Sequence, residues 1–197
     1  EKAARVLAPI FLAALFVVHI VMGYWMEYTP SGDNFMLYNG SQMLARDGNF
    51  DAYPDFGLYL SRFSNQWGFL LMLTALFRLL GALGVTHFFF PLVVLQAAMY
   101  VLGMRSALRI ARKLEGARGE IMAMLLMAVC LPLVLAASVL YTDTFSLPFI
   151  LMALDLALCA RDAESAKGQI GYACLCGVIT LLGCQIKMTV LIALIAA

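Results

Sequence analysis

The sequence predicts an all-α, polytopic membrane protein of about five to six transmembrane helices, with two juxtamembrane interfacial helices in its first outer loop. Three observations predict it. Hydrophobic residues make up 63% of the 197 positions and charged residues 13%, and a mean hydropathy of +0.90 lies well outside the range of a water-soluble domain. The apolar residues fall in runs of about the length that crosses a hydrocarbon core. Against them stands one long polar stretch, residues 27–66, EYTPSGDNFMLYNGSQMLARDGNFDAYPDFGLYLSRFSNQ. The formal net charge of +1 offers nothing to a nucleic acid; where the charges fall is what matters, because it orients the chain in a bilayer. The whole is read as a single transmembrane module, 1–197, expected to continue beyond Ala197, where an apolar run is cut short.

Residues 3–26 form the first span. Lys2 and Arg5 stand at its start, and Tyr24 and Trp25 close it as an interfacial aromatic belt, which places its first end on the cytoplasmic side. The apolar stretch is too long for a signal peptide, and no small-residue cleavage site follows. The outer loop, 27–84, comes next. Within it residues 34–46 read as a helix whose Phe35, Met36, Met43 and Leu44 rest on a bilayer surface. Residues 65–81 are apolar enough to be a second span, but charge placement argues otherwise. If both 67–83 and 88–108 crossed, the strongest basic cluster, Arg105, Arg109, Arg112, Lys113 and Arg118, would lie outside. One crossing between Gln66 and Arg112 satisfies the positive-inside rule. So 88–108 is the span, and 65–81 is the second interfacial helix, carrying Arg78 and ended by Gly81 and Gly84.

Residues 121–141 cross outward with a kink at Pro132, 145–160 return, 170–184 go out again, and a further apolar run starts at Met188. Cys130, Cys159, Cys174, Cys176 and Cys184 sit in these runs as small hydrophobes, without disulfide or zinc spacing. This topology makes the protein a multi-pass component of the cell membrane with its active loop on the extracytoplasmic face.

Three groups of polar residues meet on that face. Asp33 follows Ser31 and Gly32 at the start of a helix, where an aspartate caps free amides; the same carboxylate near the interface is suited to take a proton from a sugar or lipid hydroxyl as general base. Asp143 opens a later span beside Tyr141 and Thr142, again a capping position and again a carboxylate at costly depth. Lys187 has apolar neighbours on both sides. Its ammonium either snorkels to the interface or binds a phosphate or diphosphate leaving group, with Arg62 as the second cation. Arg62, Ser64, Asn65 and Gln66 suit hydrogen bonds to sugar hydroxyls or phosphates, and equally suit a solvated helix start. Asp155 reads as a structural partner of Arg161. His19 and His87 are isolated and lack metal-ligand spacing, so no metal ligands are assigned; no cofactor is indicated, and a divalent metal stays open without being required. No Walker loop, GxGxxG, G-x-S-x-G or HExxH is present, which excludes most soluble enzyme classes.

The pieces GDNFMLYNGSQMLARDGNF, YLSRFSNQWGFLLMLTALFRLLG, LYTDTFSLPF and GCQIKMTVLIALIA, in that order, resemble the N-terminal module of bacterial GT-C membrane glycosyltransferases, the group similar to protein O-mannosyltransferases and to the aminoarabinose transferase of lipid A. The resemblance spans most of the chain and lies in the order of the pieces. It implies that the family's catalytic acid falls on Asp33, its second aspartate on Asp143 and its phosphate-contacting lysine on Lys187, and that 65–81 is a juxtamembrane helix. The chain departs from many members where Asn34 follows Asp33, where Gln66 and Trp67 stand in place of prolines, and where Met188 follows the lysine. The expected activity is inverting transfer of a sugar from a polyprenyl-phosphate-linked donor to a glycan, lipid or protein acceptor outside the cytoplasm. Two other classes compete: a transporter or lipid flippase, which predicts inverted repeats and broken helices, and a non-catalytic membrane subunit that presents the loop to a partner.

Overall fold

The structure, a computed structural model, describes all residues except 27–29, 131, 134–139 and 197 and, in the last helix, the side chains of 193, 194 and 196. The described residues form helices joined by short turns and contain no strand. In order they form α1 (Lys2–Met26), α2 (Asp33–Asp47), α3 (Asp55–Arg62), a 3₁₀ turn (Ser64–Gln66), α4 (Trp67–Ala82), α5 (Phe89–Val129), α6 (Thr142–Asp162), α7 (Ala166–Ile186) and α8 (Val190–Ala196). Among the described residues α1, α5, α6 and α7 are long and apolar enough to cross a membrane. Their outward faces leave large apolar side chains such as Ile10, Val17, Leu125 and Leu181 exposed, a surface that water would penalise and lipid would not.

α5 is two helical arms. Glu115 and Gly116 leave helical geometry, Gly116 with φ of 64°, a left-handed conformation that glycine adopts without steric cost. The chain reverses there. Arg112 reaches Glu120 at 3.3 Å. Met127 and Leu133 pack on the same cluster as Tyr100 and Met104. A straight helix would hold Met104 and Met127 about 35 Å apart. The first arm, 89–114, therefore covers the helix expected at 88–108. The second, 117–129, accounts for the beginning of the one expected at 121–141, most of whose remainder lies outside the described residues.

α1 runs antiparallel to the first arm: Tyr24 meets Phe90 edge-on at 6.1 Å, and His19 meets Tyr100 at 4.9 Å. α6 runs parallel to that arm. Gln96 Nε2 donates to Thr144 Oγ1 at 2.8 Å, Gly103 lies against Pro148, and Arg109 pairs with Asp155 at 3.3 Å. α7 returns antiparallel to α6, with the Cys176 thiol donating to the Ala153 carbonyl at 3.4 Å. Gly103 and Gly183 are the close-approach points: a Cβ on the first would stand 2.6 Å from Pro148 Cα, and on the second 2.8 Å from Phe149 Cβ and from Val190 Cγ1. Small residues let apolar helices approach in this way, so that dispersion replaces the missing hydrophobic drive inside a membrane.

α4 has a different relation to the bundle. Its start meets the end of α7, since Gly68 lies directly on the Gln185 backbone. One residue on, Phe69 packs on Phe145 near the start of α6 at 5.1 Å, and farther along Phe77 stacks on Phe88, just before α5, at 4.8 Å. These contacts touch three helix ends in succession, so α4 lies across one end of the bundle and does not run beside α5. At 16 residues it is about 24 Å long, shorter than the roughly 30 Å of a hydrocarbon core. α2 packs on its other side: Ser41 Oγ donates to the carbonyls of Leu37 and Leu70, and Gly40 sits against Leu70 and Phe56. α2 ends at Gly48, φ 77°, whose N–H donates to the Leu44 carbonyl, the usual left-handed stop. The buried core beneath α4 joins Leu37, Leu60, Phe69, Leu70, Leu92 and Phe145, so loop helices and spanning helices share one apolar interior.

Candidate active site

The end of the bundle that α4 crosses carries the polar residues. Asp143 stands in the first turn of α6, where the helix start favours an anion. It does not cap; the Thr144 hydroxyl accepts from the Tyr141 N–H at 3.3 Å and donates to the Tyr141 carbonyl at 2.7 Å. Lys187 follows the last turn of α7, where the chain turns extended before α8 and its N–H donates to the Gly183 carbonyl at 2.9 Å. A cation is favoured at such an end. Lys187 Nζ and Asp143 Oδ1 form an ion pair, with side chains 30% and 53% exposed. The lysine therefore does not snorkel alone. The ammonium also lies 5.9 Å from the centroid of the Tyr141 ring, in reach of a cation–π attraction.

Asp33 opens α2 after Gly32, whose φ of 55° and ψ of −130° no other residue type adopts easily. Its side chain makes no cap bond and is exposed. It meets Tyr59 of α3. The Tyr59 hydroxyl is buried short of a full hydrogen bond, yet close enough to the carboxylate to feel it. Burial, first, and then the Asp33 charge and hydrogen bonding raise the phenol well above its ordinary range, with a smaller push from Tyr141. Tyr59 thus links Asp33 to the Tyr141–Asp143–Lys187 group. Tyr59 lies in the long polar stretch but was given no role from sequence; only its spacing from Arg62 along α3, three residues and hence the same face, signalled one.

The other expected site residues divide. Gln66 lies in the 3₁₀ turn, which touches the end of α7, and its Oε1 is enclosed without a partner. Asn65 and Arg62 are exposed beside it. Thr142 is only 3% exposed and faces the interior. Asp155 pairs with Arg109, not with Arg161, which pairs with its neighbour Asp162 at 2.9 Å. Six residues along a helix turn through about 240°, which carries Arg161 off the face that Asp155 presents to α5. His19 is buried and its Nε2 meets the Leu133 carbonyl at 3.1 Å. Among the described residues no group of three or more His, Cys, Asp or Glu side chains is placed to hold a metal ion.

The basic residues gather at the opposite end. Arg109, Arg112 and Lys113 pair there with Asp155, Glu120 and Asp162, about 35 Å along the first arm of α5 from Phe89. Comparison with protein-family models, curated proteins and solved structures finds no match.

Proposed function

We propose that the chain is the membrane module of an inverting glycosyltransferase that takes its sugar from a polyprenyl-phosphate donor on the extracytoplasmic side. The observation that carries this reading is the convergence, at one end of the bundle, of Asp33, Tyr59, Tyr141, Asp143 and Lys187, from four segments far apart in sequence. Asp33 acts as the base: its carboxylate takes the proton of the acceptor hydroxyl as that oxygen attacks the anomeric carbon. The bond from that carbon to the donor phosphate breaks, its electron pair stays on the phosphate oxygen, and Lys187 offsets the growing charge. Arg62 is the second cation for that phosphate, and Asn65, Gln66 and Tyr141 hold the sugar.

Asp143 keeps Lys187 in place before the donor arrives. In this reading α2 and α4 lie along the outer interface. The support is α4's short length, its course across three helix ends, and a basic cluster at the far end that satisfies the positive-inside rule. A lipid-linked donor suits such a site, because its chain stays in the bilayer while the phosphosugar reaches the loop.

The test is Asp33→Asn in the full-length protein, assayed for transfer from polyprenyl-phosphate sugars in membranes. Turnover is expected to fall about 10²–10⁴-fold, the worth of a positioned base; unchanged turnover removes Asp33 from the role. Labelling of a cysteine placed at Arg78, but not at Arg112, by an impermeant reagent from outside checks the topology.

A further inference from the structure

A concave site lies apart from the Asp33–Asp143–Lys187 group. A groove of about 860 Å³, the size of small-ligand sites in general, runs between α2, α3, the later half of α4 and the segment before α5. Phe35, Phe56, Phe77 and Phe88 wall it, and Asn39 and Gln42 add polar groups. Two arginines, Arg46 and Arg78, reach its lining, against one acid, Asp55. Arg46 spends Nε and one Nη on Asp47 at 2.9 Å.

Arg78 is the only charged residue of α4. One of its nitrogens donates to the Leu44 carbonyl at 3.1 Å, which helps close the end of α2, and it belongs to no ion pair among the described residues. A guanidinium carries five N–H donors in a planar fork that matches phosphate, so most of its capacity remains to be met.

We propose that this groove binds a phosphate-bearing membrane lipid, the headgroup on Arg78 with Arg46 assisting, the first part of its chain against the stacked Phe77 and Phe88. Charge complementarity selects an anion, and the aromatic walls select an amphiphile. None of the lining residues belongs to the Asp33–Asp143–Lys187 group, so the site stands whether or not the chain transfers sugar.

The test uses the purified full chain in detergent, titrated with phosphatidylglycerol, with diacylglycerol of the same acyl chains and with inorganic phosphate, and read by native mass spectrometry. Phosphatidylglycerol is expected to stay bound where diacylglycerol does not. Arg78→Gln keeps an amide donor for Leu44 but loses the charge, and is expected to weaken phosphatidylglycerol binding about tenfold, the loss of one charge-assisted hydrogen bond. Gly81→Leu fills the groove and leaves the Arg78 charge in place, and a Cβ at Gly81 meets only the Phe88 ring, at 4.0 Å; it is expected to weaken binding similarly with its thermal midpoint retained. Should Arg78→Gln fail to fold, Gly81→Leu decides. Equal retention of diacylglycerol, displacement by equimolar inorganic phosphate, or wild-type binding by a folded Arg78→Gln or by Gly81→Leu overturns the proposal.

Discussion

Replacing Lys187 by Met separates a structural from a catalytic lysine by magnitude. The side chain it removes is 30% exposed and its partner Asp143 is 53% exposed, so water screens the pair and its contribution to stability is about 0.2–1 kcal/mol. Losing the cation at the end of α7 adds about 0.3–1 kcal/mol. The total, at most about 2 kcal/mol, shifts the melting midpoint of a chain this size by several degrees, at about 2–4 °C per kcal/mol. If the ammonium meets charge growing on a departing phosphate, its loss costs turnover about 10²–10³-fold, or about 2.7–4 kcal/mol, as for other preorganised donors. The assay is sugar transfer from polyprenyl-phosphate donors by the full-length protein in membranes, with the thermal midpoint measured on the same preparation. Lys187→Arg, which keeps the charge, should recover part of the activity. Turnover within about threefold of wild type, under 1 kcal/mol of barrier, in a Lys187→Met protein would refute the role and leave the lysine as a counterion for Asp143.

Three further outcomes are expected. Gly103→Leu forces side-chain atoms into Pro148, where even a Cβ would stand at 2.6 Å, and should destabilise the bundle by about 1–3 kcal/mol, read as a lowered thermal midpoint. Tyr59→Phe should leave neutral-pH stability within about 1 kcal/mol, because the buried hydroxyl makes no full hydrogen bond. In the wild type the folded state holds that proton above the ordinary phenol value of 10.0 while the unfolded chain releases it. Stability present below about pH 10 is therefore lost as pH rises past it, and a pH series of midpoints should show Tyr59→Phe declining less. Arg109→Met deprives Asp155, whose side chain is 3% exposed, of its ion-pair partner and should cost about 1–3 kcal/mol, with Asp155→Asn recovering part of the loss in the double variant.

The elements that were legible from sequence are those set by period and punctuation. Gly84 follows the end of α4 as glycine chemistry said it would, although Gly81 stays inside the helix, and the basic cluster from Arg105 to Arg118 marked the turn that Gly116 makes. Placing α4 needed an argument about charge, because a run such as WGFLLMLTALFRLLG satisfies the composition of a span as readily as that of a helix under a lid. Asp143 and Lys187 were recognisable as costly charges in apolar surroundings, but their pairing was not, since it depends on α6 and α7 packing through Gly183 and Phe149. Tyr59 stayed hidden for the same reason: its proximity to Asp33 comes from how α3 folds back on α2. Asp155 was assigned the wrong arginine because adjacency in sequence was weighed above the face of the helix.

The parallel packing of α5's first arm with α6 has a consequence for biosynthesis. Helices that enter a membrane as neighbouring antiparallel pairs can settle as soon as both have been made, but two parallel ones must wait for the intervening crossing to bring the chain back. Asp143 therefore reaches its place only after the return arm has been made, and Lys187 only after one helix more. Until the ribosome has delivered both, Asp33 faces an unfinished surface.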